Sequence, residues 1–109
     1  MLTVEKLIEK LGLAVIELPD GEREITGGYA GDLLSWVMGR AQEGDAWVTI
    51  MTNMNVAAVA QLTDVACVII AEGAELADGV AGRAEAQGIN LLRSKKTAWE
   101  IISALSDKL

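Results

Sequence analysis

Seven consecutive residues, Val65 to Ala71 (VACVIIA), carry no charge and show no apolar–polar alternation. A strand with one wetted face alternates with period two, whereas a strand covered on both faces does not. The segment is far shorter than the ~18 apolar residues of a membrane span. It therefore reads as the central strand of a parallel sheet, and a parallel sheet needs helices on both faces.

The rest of the chain supplies those helices in alternation. Val4, Leu7, Ile8 and Leu11 form one apolar helical face, with Thr3 placed to cap its start and Gly12 to stop it. Leu13 to Leu18 reads as a strand, Pro19-Asp20-Gly21 as a turn, and Arg23 to Thr26 as a second short strand. The glycine-rich stretch Gly27 to Gly31 reads as a loop, followed by a helix that Asp32 can cap, with Leu34, Val37, Met38 and Ala41 on one face. Ala46 to Met51 is a further strand, about Asn55 to Leu62 a helix, Leu76 to Gln87 an Ala-rich helix and Ile89 to Leu92 a last short strand. Thr97-Ala98-Trp99-Glu100 matches a capping box, opening a helix with Ala98, Ile101, Ile102 and Leu105 on its apolar face. The expectation is one α/β domain over residues 1–109, with a compact, mainly parallel sheet of about five strands and helices on both faces.

Several activities are excluded by what the chain lacks. It has no His and one Cys, so Ser-His-Asp and Cys-His catalysis are impossible and a zinc site has no ligand set. Cys67 lies within the apolar run and reads as an inert buried thiol. A net charge of −7, from 9 basic and 16 acidic residues, argues against a nucleic-acid surface. No acid pairs with a base in a shared cleft, and no cofactor or metal is expected. The opening MLTVEKLIEK intersperses charges with apolar residues, unlike a signal peptide, so a cytoplasmic location is expected. Mean hydropathy is +0.32, high enough in a small chain to point to a covered apolar surface and hence to self-association.

In open parallel sheets, ligands sit outside the carboxyl ends of the strands. Four loops are expected to converge there. The first holds Gly27, Gly28 and Tyr29, as a tight turn or as a close approach to ligand. The second holds Thr52, Asn53 and Asn55, where one residue suffices to cap a helix and the others are free to line a site. The third is Glu72-Gly73, where Glu72 can cap the following helix or face a ligand. The fourth is Ser94-Lys95, where positive charge at a helix start is either a solvated turn or an anion site. Val56, Ala57, Ala58 and Val59 belong to a helix apolar on every side, which points to a subunit interface.

The stretches ITGGYAGDLLSWVMGRAQEGDAWVTI, NVAAVAQLTDVACVII and GINLLRSKKTAWEI resemble the DRTGG domain family across almost the whole chain. The family's Asp-Arg falls on Thr52-Asn53 and its Thr-Gly-Gly on Ala71-Glu72-Gly73, of which only Gly73 matches. The resemblance implies a fold like the N-terminal domain of HPr kinase/phosphorylase. It also implies similarity to the regulatory domains of long phosphotransacetylases and of CBS-containing pyrophosphatases. Modules of that kind are non-catalytic and commonly dimeric. The expected function is thus a homodimeric regulatory domain binding a small anionic metabolite or nucleotide. The alternative is a pure interaction module docking on a partner enzyme.

Overall fold

The apolar periodicities become helices where their faces find the sheet. In the computed structural model, which describes residues 1–109, the order is α1 (Val4–Leu11), β1 (Ala14–Glu17), β2 (Gly27–Ala30), α2 (Leu34–Arg40) and β3 (Asp45–Thr49). Then follow α3 (Asn55–Thr63), β4 (Cys67–Ile70), α4 (Val80–Ala86), β5 (Leu91–Arg93) and α5 (Ala98–Lys108). The five strands lie in the order β1-β5-β4-β3-β2. The pairs β2–β3, β3–β4 and β4–β5 are parallel, and only β1 runs antiparallel to its neighbour β5.

The unalternated run is indeed central: every residue of β4 and of its neighbour β3 is buried. Successive side chains point to opposite faces and feed two cores. Ala46, Val48, Ile69 and Leu92 pack with Val4 and Leu7 of α1 and Ile101 and Leu105 of α5. Trp47, Val68, Ile70 and Leu91 pack with Val37 of α2, Val56 and Val59 of α3, and Val80 and Ala84 of α4. Helices thus cover both faces. Cys67 is fully buried, and loss of hydration pushes its thiol up to about 12, so the thiolate is absent at neutral pH. No helix is long and apolar enough to cross a membrane.

Five expectations are corrected. Arg23 to Thr26 is not a strand; only Glu24 makes an isolated bridge, to Thr3. The strand is instead the glycine stretch itself. A Cβ on Gly27 would sit 2.7 Å from Asp45 Oδ1, and one on Gly28 would sit 3.2 Å from Leu105 Cδ2. Glycine is used there for close approach and not for bending, a distinction that composition does not carry.

Val56, Ala57 and Val59 are not interface residues: they are 1%, 2% and 5% exposed within this chain's own core. The reason is that α3 lies between α2 and α4 and above the sheet, so three of its sides are covered. Only Ala58 of that group is exposed. Helix α4 begins at Val80 and not near Leu76, because Gly79 adopts φ +86° and breaks the helical path. Finally, Asp32 does not cap α2; its carboxylate turns toward β3.

Candidate functional site

The carboxyl ends of β2, β3 and β4 border a recess of about 280 Å³ that meets the start of α5. Its polar lining comes from Asp32, Thr49 and Glu72, and its apolar lining from Ala30, Val48, Ile50 and Ala98. Asp32 Oδ1 accepts from Thr49 Oγ1 at 2.8 Å and from the Ile50 N–H at 2.9 Å. Thr49 Oγ1 in turn accepts from the Met51 N–H at 3.1 Å, so the end of β3 is held by one short network. The carboxylate of Asp32 remains exposed on its other side.

Glu72 stands at the end of β4 with φ +62°, a left-handed conformation that costs a non-glycine residue about 1 kcal/mol. Its carboxylate accepts from the Ala98 N–H at 3.1 Å, so it caps α5 across space. Its backbone is tied as well: the Glu72 N–H donates to Lys96 O at 2.8 Å, and the Gly73 N–H donates to Ser94 O at 2.8 Å. Arg93 Nη2 donates to Gly73 O at 2.7 Å. The Ala71–Gly73 and Ser94–Thr97 loops therefore form one connected wall. Lys95 and Lys96 are exposed on its outer side.

Helix α5 is doubly capped. The Glu100 N–H donates to Thr97 Oγ1 at 3.2 Å, and the Thr97 N–H donates back to Glu100 Oε1 at 3.1 Å. The Thr97 backbone N–H, then the Thr97 hydroxyl, hold the Glu100 carboxyl below its ordinary range. A depressed pKa contributes stability that is present above the unfolded value of 4.5 and is lost as pH falls through the folded value. Glu100→Gln should therefore show a shallower loss of thermal stability on acidification than the parent, with the difference confined below that unfolded value. Parallel melting curves across the acid range check this; identical pH profiles would show that the box adds no pH-dependent stability.

The structure brings together only part of the expected constellation. Glu72 lines the recess, and Gly73, Ser94 and Lys95 form its outer wall. Gly27 lies at the opposite, amino end of β2, paired with Asp45 at the start of β3. Gly28 and Tyr29 instead line a separate apolar groove against α5. Asn53 closes a local turn just ahead of α3, its Oδ1 accepting from the Asn55 N–H at 2.9 Å, while Thr52 O accepts from the Ala77 N–H. Asn55 opens onto another groove, between α2 and α3. Asp32 and Thr49 were missed. An Asp before a helix reads as its cap, and no local signal shows that it bonds across to the next strand.

No known protein-family model matches the sequence, and no curated protein matches it. Among solved structures, the chain is similar to the CBS and DRTGG domains of the regulatory region of Clostridium perfringens pyrophosphatase, crystallised with its activator diadenosine tetraphosphate. The TM-score is 0.72 at 10% identity, over 98% of this chain and 47% of that one. The chain thus spans about half the length of that structure. Such low identity speaks to architecture alone, and on that evidence the chain has a DRTGG-like α/β fold.

Proposed function

We propose that this chain is a non-enzymatic, homodimeric regulatory module of the cytoplasm that senses a nucleotide-class ligand at the strand carboxyl ends. The observation that carries the reading is the chemistry of the recess. Two carboxylates, Asp32 and Glu72, offer acceptors, and two lysines, Lys95 and Lys96, stand on the adjoining loop. A bare phosphate or acyl phosphate would meet the carboxylates unfavourably. A nucleotide brings donors on its base and ribose for the carboxylates, and phosphates for the lysines. The pyrophosphatase regulatory region of similar fold was crystallised with a nucleotide activator, which supports the same ligand class.

Calorimetry and thermal shift with ATP, AMP, diadenosine tetraphosphate and inorganic phosphate test this. A nucleotide present at about a hundred times its Kd should add roughly 2.7 kcal/mol, or about 10 °C in Tm. Inorganic phosphate should do neither. Absence of heat and of any shift at millimolar nucleotide would overturn the ligand assignment.

A second reading, an interaction module docking on a partner enzyme, is favoured by the apolar groove between α2 and α3. Leu34, Met38, Ala58 and Leu62 line it, and Leu62 is 71% exposed. Under that reading Ala58→Glu abolishes partner binding while every nucleotide remains silent in the calorimeter.

A further inference from the structure

Helix α5 buries Ile101 and Leu105 in the core, and its first residue, Ala98, lines the recess. One turn on from Ala98, Ile102 lines the neighbouring groove with Ala30 and Val48, two residues that also border the recess. Trp99 stands on that same flank, about 100° round the helix from Ala98 and three residues before Ile102. Helical side chains lean toward the N-terminus and cover the surface over the preceding turn. The indole of Trp99 is thereby directed toward the end of α5 that meets the recess.

Trp99 is 80% exposed. The other two tryptophans have uses within the fold: Trp47 is fully buried, and Trp36 carries Arg40 on its ring at 3.7 Å. Trp99 has neither role. Ile50, in the lining of the recess, is 48% exposed as well, so open apolar surface borders the Asp32 and Glu72 carboxylates. Asp32 Oδ1 is taken by Thr49 and Ile50, and Glu72 Oε2 by Ala98, which leaves the second oxygen of each carboxylate without a protein donor. The N–H groups of Thr97, Ala98 and Glu100 are occupied by caps, so the end of α5 is not itself an anion site. Positive charge comes instead from exposed Lys95 and Lys96, just before the helix. At about 280 Å³ the recess lies at the lower edge of the ~300–1,000 Å³ of small-molecule sites, so it seats one portion of a nucleotide and not the whole.

We infer that this portion is a purine base, stacked on the Trp99 ring with its N–H donors on the free oxygens of Asp32 and Glu72, and that Trp99 gives the site its preference for purine nucleotides. The inference rests on the nucleotide reading above and names the part of the ligand that is recognised. A purine covers more of an indole than a pyrimidine does, and stacking strength follows the area covered. A sugar phosphate without a base has nothing to place on the ring.

Calorimetry of the full chain with AMP, UMP and ribose 5-phosphate, paired with tryptophan fluorescence, tests this. AMP should bind more tightly than UMP, and ribose 5-phosphate most weakly of the three. Bound AMP should quench the emission. Trp99→Ala should raise the Kd for AMP about five- to a hundredfold, the range of one base–aromatic stack, and abolish the quench. Trp99→Phe keeps a stacking face and should recover most of the affinity. Trp36→Phe should alter neither affinity nor quench. Trp99 is too exposed to support the core, so Trp99→Ala should melt with the parent. Unchanged AMP affinity in Trp99→Ala overturns the inference and leaves nucleotide sensing standing. AMP and ribose 5-phosphate binding equally well overturns it in favour of phosphate recognition alone. A parent that binds none of the three overturns both readings.

Discussion

Trp47→Ala should cost about 3–5 kcal/mol, the usual range for removing a large aromatic from a packed core. Trp47 is the largest fully buried side chain, set on β3 between Tyr29 of β2 and Val68 of β4. Its ring fills the space beneath α2 and α3, among Val37, Val56 and Val59. Its indole N–H donates to Gly31 O at 2.9 Å, which anchors the end of β2 beside the recess. Truncation thus opens a cavity and orphans a carbonyl at once. A loss of that size is comparable with the whole stability of many small domains, and Tm should fall by about 15 °C or more. Trp47→Phe keeps most of the apolar volume but not the donor, and should cost about 1–2 kcal/mol. Urea titration with an unchanged m-value separates these losses from a change in the denatured state. A cost below about 1 kcal/mol for Trp47→Ala would contradict the packing described.

The second large effect is expected at Asn90, which is only 3% exposed. Its Oδ1 accepts from the Asp20 N–H at 3.0 Å, and its Nδ2 donates to Asp20 O at 2.7 Å and to Ala66 O at 2.9 Å. One amide thereby joins the Pro19–Gly21 turn, the approach to β4 and the start of β5. Asn90→Ala removes three hydrogen bonds and leaves the buried Ala66 carbonyl without a donor, at a cost of about 2–4 kcal/mol.

Asn90→Asp should be worse near neutral pH, since a carboxylate would face two carbonyl oxygens. Its folded pKa should rise above the unfolded value of about 3.9, so stability should be regained on acidification and lost as pH rises through the folded pKa. Chemical denaturation at neutral and mildly acidic pH checks both variants. An Asn90→Asp protein with the opposite pH trend would show that the amide protons do not hold these strands.

The alternation of helices and strands was legible because it depends on periodicity. Val65 to Ala71 reads as a strand covered on both faces, and Thr97 with Glu100 as a helix start. Where the reading failed, the deciding neighbour lay far along the chain. Gly27 and Gly28 look like a loop until Asp45 and Leu105 are seen to press on them. Asp32 looks like a helix cap until Thr49, seventeen residues on, takes its carboxylate. Asn90 carries no signal at all before the turn at Asp20 is folded against it.

From its sequence alone, then, these residues read as an α/β fold with a buried central strand, no histidine chemistry and a strong acidic charge, because these follow from period, composition and local caps. The tertiary structure alone decided that the glycines make an edge strand, that most of α3 is core, and that Asp32, Thr49 and Glu72 share a recess. Those outcomes depend on which side chains meet across the sheet, and contacts between residues distant in the chain leave no periodic trace in it.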